Sequence, residues 1–438
     1  MKFNRNKIKD YCLLFICLCL IQPIINERTS VSAESLQNSF KQDPANENTP
    51  NTDDEENKVV TEYICPNGHC YQENCEDGKC GICRSELKEV THIKKLARRE
   101  SISEKIAKSL EEVTKERFNF GVSSTGIIQQ ILNSSEGGNF SAEGSLDLLF
   151  LYRPFDYSTL FLDLEGIGGN GPDEFVGSLS GLNDDAGSFQ GDNGFERMSV
   201  REAWLELKPF KKNINIIAGK IDLTNYFDGN TIANDETTQF ITSAFVNNRT
   251  LEVPKNAPGM VSIYETRRGL CFRLGMQSTE DIEAGLIDVL YGIGEVGIKL
   301  NCLFGLEGNY RLWTKINGGQ NDNKGMGISL DQQLSKRLFS FARYGINETD
   351  SASIKNAESG GLELHHPFTS RAKDSTALAF GHATAIDGSE EQVVEIYYRI
   401  VINDHFAITP SFQTVFDPIG LEGNEVVTLI GVRTQIEF

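Results

Sequence analysis

"EVVTLIGVRTQIEF" occupies residues 425–438. A strand sends successive side chains to opposite faces. Val426, Thr428, Ile430, Val432, Thr434, Ile436 and Phe438 therefore share one face. Val427, Leu429, Gly431, Arg433, Gln435 and Glu437 share the other. The first face is apolar, and the second turns polar towards its end. Such a strand needs an apolar medium on one side only, either a protein core or lipid.

The preceding sequence repeats the pattern. Val394, Ile396, Tyr398, Ile400 and Ile402 oppose Glu395, Tyr397, Arg399 and Asn403. Phe406, Ile408, Phe412 and Phe416 oppose Thr409, Ser411, Gln413 and Asp417. Read this way, the chain predicts strands beginning near 118, 139, 157, 199, 214, 259, 269, 291, 306, 324, 338, 359, 375, 391, 406 and 425. Their connections alternate between short ones, such as 153–156, 266–269 and 403–405, and long ones at 170–198, 223–258, 279–290, 318–323, 349–358 and 417–424. Even strand number, short turns at one end and long loops at the other describe an outer-membrane barrel. A closed barrel is the sheet that can span a bilayer, because it leaves no unpaired edge. The predicted fold is all-β, a transmembrane antiparallel β-barrel of sixteen strands over 118–438. A soluble sandwich or propeller is the alternative. In the barrel reading lipid lies outside the last strand, and Phe438 and Tyr398 belong to an aromatic girdle.

Composition agrees. A net charge of −20 argues against nucleic acid, whose phosphates require a basic surface. No later stretch offers the roughly 20 apolar residues of a membrane helix. The first 33 residues read as a signal peptide: Lys2, Arg5, Lys7 and Lys9, then "YCLLFICLCLIQPII" (11–25), then a cleavage site after Ala33. Residues 34–62 are polar, without period, and read as a linker. Residues 63–90 are rich in cysteine. Residues 91–117 read as a charged helix with an apolar stripe of Ile93, Leu96, Ile102, Ile106, Leu110 and Val113. That stripe suits a coiled coil that trimerises the barrel, or an anchor on a partner.

Two segments resemble a family. "VREAWLELKPFKKNINIIAGKIDLTNYFDGNTIANDETTQFITSAFVNN" (200–248) and "EQVVEIYYRIVINDHFAITPSFQTVFDPIGLEGNEVVTLIGVRTQIEF" (391–438) are similar to the carbohydrate-selective porins of the OprB family. The first matches a strand–turn–strand through "GKxD" into an "FD…N" loop, and the second matches the closing strands. The resemblance implies a sixteen-stranded barrel for passive diffusion of sugars and other small solutes, set in the bacterial outer membrane.

Residues 223–258 would then form the third outer loop, which in such porins folds inward. Asp222, Asp228, Asp235 and Glu236 precede Arg249 and Lys255, with Tyr226, Phe227, Phe240 and Phe245 interleaved. Carboxylate and guanidinium groups suit sugar hydroxyls, and aromatic rings suit the apolar sugar face. Arg201, Glu202, Lys220, Asp222, Arg399 and Arg433 are expected on the lumen wall. The bland reading of each is a solvated charge that only hydrates the pore. "GIGGNG" (166–171) and "GIGEVG" (292–297) match a dinucleotide fingerprint but lack its strand-to-helix context. No catalytic constellation appears, so the expectation is a channel and not an enzyme.

"YICPNGHCYQENCEDGKCGICRSELKEV" (63–90) resembles a small heavy-metal-binding module through Tyr63, Cys65, Pro66, Cys80, Cys83 and Leu87. The candidate metal set is Cys65, His69, Cys80 and Cys83, with Cys70 or Cys75 as alternates, for zinc or another soft divalent ion. Five cysteines in an oxidising compartment equally suit disulfides. An even strand count places this module and the C-terminus in the periplasm. Cys271 and Cys302 fall near the periplasmic rim on neighbouring strands and form a candidate disulfide. Two further readings stay open: a barrel that tethers the envelope through 34–117, and a metal-responsive or metal-uptake porin.

Overall fold

The computed structural model describes residues 59–64, 70–71, 88–93, 117–133, 140–155, 157–187, 196–209, 214–266, 269–279, 290–300, 306–320, 323–348, 351–368, 371, 373–419 and 425–438. The signal segment, Cys65, His69, Cys80, Cys83, Cys302 and most of the expected helix lie outside them.

Near the N-terminus, β1 (Val59–Ile64), β2 (Cys70–Tyr71) and β3 (Lys88–Ile93) form an antiparallel sheet in the order β2-β1-β3. This corrects two boundaries. The expected linker ends in β1, and the first residues of the expected helix belong to β3. The runs Val59–Val60–Thr61 and Val90–Thr91 with Ile93 are β-branched, and such residues favour a pleated strand over a helix.

From Phe118 the chain forms sixteen more strands. The first eight are β4 (Phe118–Ile131), β5 (Phe140–Phe155), β6 (Ser158–Gly169), β7 (Glu196–Leu207), β8 (Ile214–Ile221), β9 (Ala257–Glu265), β10 (Leu270–Ser278) and β11 (Leu290–Leu300). The rest are β12 (Gly308–Asn317), β13 (Asn323–Gln333), β14 (Leu338–Asn347), β15 (Ile354–His365), β16 (Ser375–Ala385), β17 (Glu390–Asn403), β18 (Phe406–Phe416) and β19 (Val426–Glu437). Each pairs antiparallel with the next, and β19 pairs with β4, so the sheet closes. Phe438 completes the seam: its N–H donates to Val122 O (2.8 Å), and Val122 N–H donates to Phe438 O (2.9 Å). Strand starts agree with the sequence reading within three residues, except that β15 begins at Ile354 and not near 359.

The outer face is apolar. Leu146, Leu160, Met198, Leu274, Leu312, Leu378, Ile396, Phe412 and Ile430 are all exposed. A soluble protein does not leave so continuous a band in water, and among the described residues no helix is long and apolar enough to cross a membrane. The strands do the crossing. Aromatic pairs gather at the short-turn end: Phe155–Tyr157, Tyr264–Phe272 and Phe368–Tyr398, with His405–Phe438 beside the seam. Their amphipathic rings suit the lipid–water boundary. Phe438, 72% exposed, sits in this girdle.

The inner face holds a surprise. Outside lipid asks for apolar-out and polar-in, yet Ile217, Ile221, Val261, Ile263 and Ile293 are buried on the inside. So are Val427 and Leu429 of β19. These positions form the seats of loops that fold into the barrel.

Candidate functional site

Two connections from the long-loop end enter the lumen. One is the β8–β9 loop, as the sequence reading anticipates. Its apolar residues pack onto the inner wall in two groups. Leu223, Tyr226, Phe227 and Leu251 join Ile217, Ile221, Val261, Ile263, Tyr291, Ile293 and Trp313. Ile232, Ala233, Phe240, Ala244 and Phe245 join Ile131, Phe341, Val393, Tyr397, Val415, Val427 and Leu429. Phe240 lies 5.0 Å from the Tyr397 ring and 5.1 Å from Phe245. Burying each such ring contributes roughly 1.5–3 kcal/mol. Small wall residues admit them: a Cβ at Gly275 would lie 2.6 Å from the Phe227 ring.

The polar wall then grips the loop backbone. Arg343, fully buried, donates to Phe245 O (2.8 Å), Asp228 O (3.0 Å) and Asn234 Oδ1 (3.1 Å), and its Nε lies 2.9 Å from Asp228 Oδ2. Asp228 also accepts from Trp313 Nε1 (3.0 Å) and Asn248 N (2.7 Å). Its φ of 55° is strained for a non-glycine residue, and this ring of partners holds it there. Glu252, at φ 44°, is held likewise by Lys315 Nζ (3.2 Å) and Ser353 N (2.7 Å). Glu395 accepts from Ile241 N and Thr242 N, both at 2.9 Å. Arg311 donates to Gly229 O (2.6 Å) and Arg433 to Glu236 O (2.6 Å).

The second inward loop, 170–187, is absent from the sequence reading. Val176, Leu179 and Leu182 are buried. Glu391 on β17 accepts from Leu179 N (2.9 Å), Ser180 N (2.8 Å) and Ser178 Oγ (2.7 Å). The loops also bind each other, through Asp184 N to Ile241 O (2.9 Å), Ala244 N to Ser180 O (2.9 Å) and Arg249 Nε to Leu179 O (2.8 Å). Asp173 closes the second loop by accepting from Leu182 N and Asn183 N. Burial pushes its carboxyl up to about 6, although those two N–H groups pull the other way.

The anticipated residues therefore separate by role. Tyr226, Phe227, Phe240 and Phe245 are buried anchors in the seats, not rings presented to a solute. Asp228 is a fully enclosed hub. Asp235 accepts from Thr237 N (2.9 Å) and Thr238 Oγ1 (2.6 Å), capping its own turn. Asp222 caps Thr224 N (2.9 Å) and lies 3.9 Å from Arg201 Nη2. Arg399 donates to Gln435 Oε1 (2.7 Å), two wall residues together. Lys255 is exposed. Lys220 departs from the lumen expectation: alternation along β8 puts Ile217 and Ile221 inside, so Lys220 shares the outer face with Ala218 and donates to Val200 O. Cys271 has no disulfide partner among the described residues, and Cys302, its expected partner, lies outside them.

Other lumen residues emerge only with the register. Seven buried carboxylates stand on or against β5–β8: Glu143, Asp147, Asp163, Glu165, Asp185, Glu202 and Asp222. Arg201 meets Glu165 at 2.7 Å. The alternation of Glu143–Ser145–Asp147 and Asp163–Glu165 signals an inward polar face in the sequence. Which of these groups face each other depends on strand pairing. Neither glycine motif opens an α-helix: Gly166–Gly169 ends β6, and Gly292–Gly297 lies within β11.

A closed sixteen-stranded barrel with an apolar outside and loops folded against a charged inner wall is the architecture of an outer-membrane porin. Residues 288–438, spanning β11 to β19, match the family model for carbohydrate-selective porin, OprB family. The matched stretch includes the closing strands 391–438, whereas 200–248 lies outside it. The chain superposes on the high-pH structure of Pseudomonas putida OprB with a TM-score of 0.64, at 13% identity, covering 78% of this chain and 99% of that one. The low-pH structure of the same protein gives 0.53 at 13% identity, covering 78% and 100%. An uncharacterised protein of Aquifex aeolicus is 24% identical over 221 residues, which is 50% of this chain and 65% of the relative's length.

Proposed function

We propose that this protein is a passive outer-membrane porin for small solutes, sugars among them, whose passage is set by the two inward loops. The observation that carries this reading is the grip of the wall on loop backbone: Arg343, Glu391 and Glu395 spend buried charge on holding loops inside the barrel. Buried charges of this kind cost free energy unless paired, and their gain here is a fixed constriction. Carbohydrate as solute is supported by the family match and by a lumen of carboxylates, amides and guanidinium groups that suit hydroxyls. Arg201, Asp222, Glu236 and Arg249 are the residues of the earlier expectation that we place at the constriction. No cofactor enters this reading. Metal capture by Cys65, His69, Cys80 and Cys83, trimerisation through 91–117 and a periplasmic N-terminal module remain parts of the proposal for the segment before the barrel.

The test is single-channel recording of the refolded chain in a planar bilayer with sugars titrated in. Stable steps that a sugar blocks saturably support the reading. Steps untouched by every sugar leave a general pore and remove the carbohydrate claim.

A further inference from the structure

The two arcs of the inner wall differ in how they handle charge. On β10–β19 the acidic groups are matched: Glu295 by Arg273, Asp331 by Arg311, and Glu391 and Glu395 by loop N–H groups. On β5–β8 the matching is incomplete: Arg201 meets Glu165, and Glu202 accepts from Trp204 Nε1 (3.1 Å) and Asn225 Nδ2 (2.9 Å), but Oδ1 of Asp147 and Oδ1 of Asp163 have no partner among the described residues. Asp147 on β5 stands directly opposite Glu165 on β6. Asp163 on β6 stands directly opposite Glu202 on β7. Directly opposed like charges destabilise a sheet, and here two such pairs lie side by side.

Burial sharpens the problem. Asp147 is 4% exposed and Asp163 5%, and Oδ1 of each has no hydrogen-bond partner among the described residues. Oε2 of Glu165 and Oε1 of Glu143 are in the same condition. Arg201 serves Glu165 and Asp222 and cannot neutralise seven carboxylates. Alternation aims all these wall side chains into the lumen. Among the described residues no group of three or more converges as a site for one bare metal ion. The carboxylates are spread along the wall. Such a strip suits an elongated amine that sheds water where it meets the wall, and not one chelated ion.

We infer that Asp147, Asp163, Glu165 and Glu202 form a cation track through the barrel, so that the channel selects cations, protonated amines above all, over anions. The inference rests on the porin reading but assigns it a charge preference. A cation beside the opposed pairs relieves their repulsion and gives the orphaned oxygens a partner. Neutral solutes pass without that gain, and anions find only Arg201 as a partner among the acidic groups.

The experiment uses the refolded full chain, wild type and the double variant Asp147→Asn/Asp163→Asn, with Asp387→Asn in an outer turn as a control for charge alone. In a KCl gradient the wild type should show a reversal potential of the sign for K⁺ preference, and the double variant should lose most of it. The control should keep it. Equal loss in the control, or no preference in the wild type, overturns the track while leaving the porin intact. A second measurement does not depend on conduction. Calorimetric titration of spermidine into the detergent-solubilised barrel should show binding that weakens about fivefold per carboxylate neutralised, the worth of one charge pair about 4 Å apart in a water-like dielectric. Identical binding to wild type and double variant also overturns it. A barrel that binds spermidine but never conducts would instead remove the porin reading.

Discussion

The β10–β19 arc and the β5–β8 arc are built from the same alternating strands, yet they spend charge differently. The first uses Arg311, Arg343, Glu391, Glu395 and Arg433 as clamps on loop backbone. These charges are structural: each named group holds a loop carbonyl or a loop N–H. The second carries carboxylates that oppose one another, and Asp147, Asp163, Glu165 and Glu143 each keep one buried oxygen without a partner among the described residues. The lesson is that lumen charge on a barrel wall is of two kinds: charge that holds the constriction and charge left for the solute.

Breaking the clamp should have the largest effect. Arg343→Met strands Asp228 as an unpaired buried charge and frees Phe245 O and Asn234. The expected cost is about 3–5 kcal/mol in the seating of the loop. It would be read as loss of hydrogen-exchange protection over 223–258 with the barrel strands still protected. Glu395→Ala is milder. It removes the acceptor for Ile241 and Thr242, at about 1.5–3 kcal/mol per charged hydrogen bond, and the same exchange measurement should show deprotection centred on those two amides.

The second loop offers a pH test. Asp173 has its carboxyl raised to about 6 from the ordinary 3.8. A raised carboxyl contributes its stability in full below about 4 and loses it as pH rises through about 6. Protection of the Leu182 and Asn183 amides should therefore be highest near pH 4 and decline towards pH 7. Asp173→Asn should flatten that profile. A wild-type profile that rises with pH would show that the N–H donors outweigh burial. The smallest effect is expected outside the lumen. Lys220→Gln lies on the outer face, and stability and conductance should stay within about 0.5 kcal/mol and experimental scatter.

Much of the barrel was legible because lipid imposes strict alternation. Ile430, Val432 and Ile436 had to point outward, and the Glu395–Tyr397–Arg399 face had to point in. The failures share one cause. Val427 and Leu429 are apolar on the inner face because Phe240 and Phe245 come to meet them, and no periodicity announces a partner from 180 residues away. Phe227 and Phe240 looked like sugar platforms because aromatic spacing is the same for an anchor and a platform; only burial separates them. Lys220 looked like a lumen cation because charge alone does not say which face of β8 points inward; the buried Ile217 and Ile221 do. The acidic wall could be counted in the sequence, but its unrelieved pairs needed the register. The inward course of 170–187 gave no signal beyond its length.

The central claim is that wall charge holds the loops where they narrow a conducting pore. Single-channel conductance of the refolded wild type beside Arg343→Met tests it most directly. We predict discrete steps in the wild type and larger, noisier steps in the variant, because the released loop no longer fills the lumen. Identical steps in the two, or a folded barrel that never conducts, would contradict it.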